Sequence, residues 1–139
     1  MNFAARFLRR ILGSLTTAIL TFKARMAINP SCDPNKEYEV ELWLKILGQS
    51  YDFQSNYKKT YYEHLETDEE KHKVRATLAV MLKSNIYSVS HKTLIAYVCA
   101  DIGVTDSLEQ ISRLRMEPTC SDAEKLAFIL ACEKFSQPQ

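Results

Sequence analysis

The sequence predicts an all-α protein: a compact bundle of about six helices preceded by a basic amphipathic N-terminal helix. Three observations predict it. Apolar residues recur at spacings of three and four over most of the chain, and no stretch alternates with period two for long. Three helix starts carry an acid three residues after a Ser, Thr or Asp, as capping boxes do. With 3 Gly and 4 Pro in 139 residues, few breaks are enforced. The length is enough for one domain with a real core, and 46% hydrophobic with 25% charged residues is a globular composition rather than a disordered one.

The body divides as follows. Residues 29–36, "NPSCDPNK", are rich in Pro, Asn and Ser and read as a linker. In residues 37–47, Val40, Trp43, Leu44 and Leu47 share one face, and Gly48 is a suitable stop. Residues 52–65 place Phe53, Tyr57, Tyr61 and Leu65 four apart, an aromatic stripe read as core packing. Thr67 with Glu70 forms the first box, and Asp68 and Glu69 complement the helix dipole. Val74, Leu78, Met81 and Leu82 supply the buried face of that helix. Ser90 is placed to cap a helix over residues 91–102, with Leu94, Ile95, Val98 and Ile102 inward and Gly103 just past its end. Asp106 with Glu109 opens a short helix over 107–114, and Pro118 interrupts. Ser121 with Glu124 is the third box, and Leu126, Phe128, Ile129, Leu130 and Phe135 fill the last helix.

Residues 1–28 differ from the rest. The first 31 residues hold five bases (Arg6, Arg9, Arg10, Lys23, Arg25) and no acid, whereas the other 13 Lys and Arg face all 17 acids, a net of −4. On a helix, Phe7, Leu8, Ile11, Leu12, Leu15, Ile19 and Phe22 gather on one side and Arg6, Arg9 and Arg10 on the other. Arg-bearing, hydroxyl-bearing and acid-free, the segment has the composition of a mitochondrial transit peptide. A permanent helix lying on a membrane surface or docking on a partner through Phe7, Ile11, Leu15 and Phe22 is the main alternative, and a secretory signal the next. The uncharged run 11–22 is too short for a membrane span. The expected organisation is a targeting or anchoring helix at 1–28, a linker at 29–36 and a helical domain at 37–139.

An acidic body is a poor nucleic-acid binder, because phosphate contacts need clustered Lys and Arg. The cysteines Cys32, Cys99, Cys120 and Cys132 fall at no metal-ligand spacing, so neither a metal nor another cofactor is expected. Cys99 and Cys132 lie among apolar residues and read as buried thiols.

Residues 84–91, "SNIYSVSH", join the two central helices and raise the question of chemistry. The order of elements, the stretch "LGQSYDFQSNYKKTYYEHL" and the closing "CSDAEKLAFILACEKFSQP" resemble the carboxymuconolactone decarboxylase and alkylhydroperoxidase-D-like family over residues 46–138. Members carry C-x-x-C-x-x-x-H at the start of the helix after the capped one. Counting back from His91, the two cysteine positions hold Ser84 and Tyr87, and the relay carboxylate falls near His72, with Glu70 two residues away. The helix after the motif is also about one turn longer than in members. Thiol peroxidase chemistry needs a thiolate and a resolving thiol. The resemblance therefore implies an enzyme only in a cysteine-free form, with His91 as general acid or base and Ser84, Tyr87 and Glu70 as candidate partners. The reading favoured over this is a non-catalytic helical subunit or adaptor. It would act through protein partners, as a homo-oligomer or in a larger complex, at the mitochondrion or a membrane. His64 and His72, in charged surroundings, read as solvated.

Overall fold

In a computed structural model of the chain, residues 34–49 and 57–137 are described. The N-terminal segment 1–28, with Phe7, Ile11, Leu15, Phe22, Arg6, Arg9 and Arg10, lies outside the described residues, as do Phe53 and Cys32. Among the described residues six α-helices follow one another: α1 (Pro34–Gln49), α2 (Tyr57–Thr60), α3 (Asp68–Lys83), α4 (Val89–Ile102), α5 (Leu108–Leu114) and α6 (Asp122–Phe135). Single 3-10 turns sit at Tyr62–His64 and Thr105–Ser107, and no strand occurs among the described residues. The all-helical expectation holds.

α4 is the axis of the bundle. Thr93, Leu94, Ile95, Ala96, Val98, Cys99, Ala100, Asp101 and Ile102 are all buried, so it is covered on more sides than the one face expected. α3 packs antiparallel to it through Val74, Leu78, Met81 and Leu82, the predicted set. Arg75 donates from its guanidinium to the carbonyls of Ile102 (3.3 Å) and Gly103 (3.0 Å), satisfying acceptors at the C-terminal end of α4. Gly103 there adopts φ 74°, the left-handed conformation that glycine takes without steric cost.

α6 makes the most extensive contact with α4, and the two run parallel. At one end the Ser90 hydroxyl donates to Glu124 Oε2 at 2.7 Å. At the other, Lys134 Nζ lies 3.6 Å from Asp101 Oδ1. The short α5, packed against α6, brings the chain back. Asp101 also accepts from the backbone N–H of Lys58 at 2.7 Å, so it serves as a remote cap for the four-residue α2.

Several local expectations are corrected. α1 begins at Pro34, inside the expected linker, because proline suits a first turn whose N–H has no partner in any case. It runs through Gly48 rather than stopping there. Leu42 and Ile46 join Val40 and Trp43 in the core, while Leu44 is exposed. The helix expected over 52–65 is, from Tyr57 on, one turn and a 3-10 turn. Tyr57 is buried and Tyr61 and Leu65 rest against the core. The cap of α4 is Ser88, not Ser90: Ser88 is extended (φ −68°, ψ 165°) and its Oγ accepts from the His91 N–H, which frees Ser90 to face Glu124. The short helix has no side-chain cap from Asp106. It is entered through the 3-10 turn instead.

Of the capping boxes, Ser121 and Glu124 form the full reciprocal pair. Thr67 accepts from Glu70 N, but the Glu70 carboxylate reaches the N–H of Glu66 rather than that of Thr67. The largest departure is on α6. Only Phe128 and Ala131 are fully buried, with Cys132 and Phe135 partly so. Leu126, Leu130 and Ile129 are 56%, 54% and 38% exposed. At 100° per residue these three lie opposite Phe128, Ala131 and Phe135, and nothing among the described residues packs on that side.

Candidate functional site

The predicted catalytic residues lie around the turn from α3 into α4. α3 ends at Lys83, and the Ser84 hydroxyl accepts from the Ile86 N–H at 3.3 Å, a local turn that folds the connector back. This carries Tyr87 inward, where its ring is buried. Ser88 then opens α4, and His91 falls at the third helical position, the place a glutamate fills in a capping box. Its Nδ1 is hydrogen-bonded to the Ser88 hydroxyl.

α1 supplies the other half. Trp43 is buried, with its ring centroid 5.4 Å from that of Tyr87 and 5.4 Å from that of His91, the latter edge-on at 75°. Glu39, one turn earlier on the same face of α1, is also buried. Burial first, and then the negative charge of Glu39, push the Tyr87 phenol well above its ordinary value. Tyr87 is therefore neutral and able to donate. The Tyr87 hydroxyl and the Trp43 indole N–H are buried without a hydrogen-bond partner among the described residues.

Sequence reasoning named His91 and Tyr87, and the structure brings them together on Trp43. It does not bring Glu70 to them. Glu70 sits in the first turn of α3, about 21 Å along that helix from Ser84, and is engaged in the cap described above. His64 and His72 are exposed, as expected. Glu39 and Trp43 were missed as site residues: Trp43 was assigned to the core, and the i, i+4 spacing of the two was the available signal.

The cluster thus holds a carboxylate, a phenol and an imidazole around an indole. Cys99, the cysteine nearest in sequence, is two turns further along α4 and wholly buried. Burial pushes its thiol up to about 12, outweighing the opposing influence of the nearby Ser107 hydroxyl and the Arg75 charge. No three His, Cys, Asp or Glu side chains converge as metal ligands among the described residues. No described helix is long and apolar enough to cross a membrane. No family model, no curated protein and no solved structure matches the chain.

Proposed function

We propose that this protein is a non-catalytic helical subunit or adaptor that works through protein–protein contacts, delivered to the mitochondrion or held at a membrane by residues 1–28. The observation that carries this reading is the outward row of Leu126, Ile129 and Leu130 on α6. Singly exposed apolar residues are ordinary, but three adjacent ones on a helix already packed on its other side form a face suited to a partner. The test is Leu126→Asp combined with Leu130→Asp. Both sites are exposed, so the melting temperature stays near that of the wild type. A stoichiometric complex recovered with the tagged wild-type chain from its native source is lost with the variant. Recovery of the wild type only as a free monomer overturns the reading, as does an unchanged complex with the variant. For delivery, the intact mass of the native protein is decisive: a mass lacking the residues up to about 24–27 identifies a removed targeting segment.

A second reading has one observation in its favour. His91, Tyr87 and the buried Glu39 around Trp43 suit a decarboxylase-like enzyme with His91 as general acid or base, the cysteine-free form that the family resemblance implies. Release of CO2 from carboxylactones or β-keto acids by the wild type, abolished in His91→Gln, supports it. No release from any of them by the wild type removes it.

A further inference from the structure

We propose that the outward stripe of α6 receives a basic amphipathic helix of a partner protein, its apolar row laid on Leu126, Ile129 and Leu130 and a Lys or Arg one turn beyond each end meeting Asp122 and Glu133. This rests on reading the stripe as a docking face, and it names the chemistry of what docks.

The stripe has a charge pattern as well as an apolar one. Asp122 stands one turn before Leu126, and Glu133 one turn after Ile129. These five side chains fall within about 100° of the helix circumference, so a carboxylate closes each end of the apolar row. All five are exposed. Neither acid joins an ion pair among the described residues. The bases of α6 stand aside: Lys134 is drawn to Asp101 and to the ring of Tyr97, and Lys125 falls outside the sector. The two acids are eleven residues apart, about 16 Å along the axis.

This pattern selects among occupants. A second copy of α6 is disfavoured in either orientation. Antiparallel, each Asp122 meets a Glu133. Parallel, each acid meets itself. Anionic lipid and nucleic acid bring negative charge to the same two carboxylates. An extended peptide finds only apolar contact, because a helix keeps its own backbone groups paired and offers no ladder to the peptide's N–H and C=O. A helical partner arrives with its backbone already satisfied and with side chains at the same rise per residue as those of α6. Bases one turn beyond its apolar row then lie about 16 Å apart, as the acids do. The same charge stands at both ends of the stripe, so it sets the register of the partner helix and leaves its direction open.

The test titrates the isotope-labelled full-length protein with a synthetic helical peptide and follows the amide NMR shifts. The alanine-based probe carries three leucines at the spacing of Leu126, Ile129 and Leu130 and a lysine one turn beyond each end. Its control has glutamate in place of both lysines. The expected shifts centre on residues 122–133, and the lysine peptide binds about tenfold more tightly than the control. Asp122→Asn with Glu133→Gln removes that preference while both peptides still bind. About 1 M salt does the same, because charges are then screened beyond about 3 Å. Equal affinity of the two peptides for the wild type overturns the proposal, as does binding elsewhere on the protein or no binding at all. Self-association of the wild type that Leu130→Asp abolishes overturns it in favour of a second copy. Equal affinity with the shifts still on α6 leaves the docking face standing and removes its basic partner. A native complex that survives Leu126→Asp with Leu130→Asp removes the face itself, so the two failures are told apart.

Discussion

Tyr57 shows what a single buried hydroxyl does here. Its ring is wholly buried beneath α4, and its oxygen has no hydrogen-bond partner among the described residues. An unpartnered buried hydroxyl costs stability without return. Tyr57→Phe is therefore expected to stabilise the protein by about 1 kcal/mol, read as a rise in the urea midpoint at unchanged slope. A loss of stability would mean the oxygen has a partner in solution. Glu124 is the opposite case. The Ser121 N–H holds its carboxyl below the ordinary 4.5, helped by the Ser90 and Ser121 hydroxyls. A lowered folded value means a stabilising contribution that is complete above pH 4.5 and lost as the pH falls through that folded value. Glu124→Gln should thus be less stable than the wild type at pH 7, with the gap narrowing in denaturant titrations below pH 4.5. A gap independent of pH would remove the carboxylate's charge from the account.

Among the elements, α2 depends most on a distant residue. It has four residues, too few to hold its own ends, and its Lys58 N–H is bonded to Asp101 on α4. Asp101→Ala removes that cap together with the contact to Lys134, and a loss of about 2 kcal/mol is expected, with hydrogen exchange rising first at residues 57–60. Uniform acceleration across the bundle would argue against a local role. α2 also marks a limit on what the sequence discloses. The four-residue spacing of Tyr57, Tyr61 and Leu65 was correctly read as facing the core, but one stripe is compatible with a continuous helix and with a turn followed by a 3-10 turn. Caps were the most legible features: Ser121 with Glu124 and Gly103 stand where their chemistry put them. Ser88 and Ser90 are both good cap residues, and tertiary demand for Ser90 at Glu124 separates them. For α6 the sequence shows apolar residues on both sides and cannot show that only one side has a neighbour. The site was half legible for the same reason. His91 and Tyr87 belong to a local motif, whereas Glu39 joins them only through the docking of α1.

For the whole molecule, burial ranks the thiols. Cys99 is wholly buried and its pKa is high, so modification by a maleimide at pH 7 must await opening of the entire core. Of the three described thiols, Cys132, half-buried on α6, should be labelled first. Labelling of Cys99 at the rate of Cys132 would show that α6 separates from α4 without global unfolding. The parallel alignment of those two helices also bears on synthesis. Antiparallel neighbours such as α3 and α4 can close as a hairpin soon after they emerge. α4 and α6 are joined at Ser90–Glu124 and Asp101–Lys134, partners more than thirty residues apart, so the pair forms only once α5 has carried the chain back. During translation the most apolar described helix waits, without its main neighbour, until α6 has left the ribosome. Truncations that remove α6 should on this account yield aggregating chains rather than a smaller soluble domain.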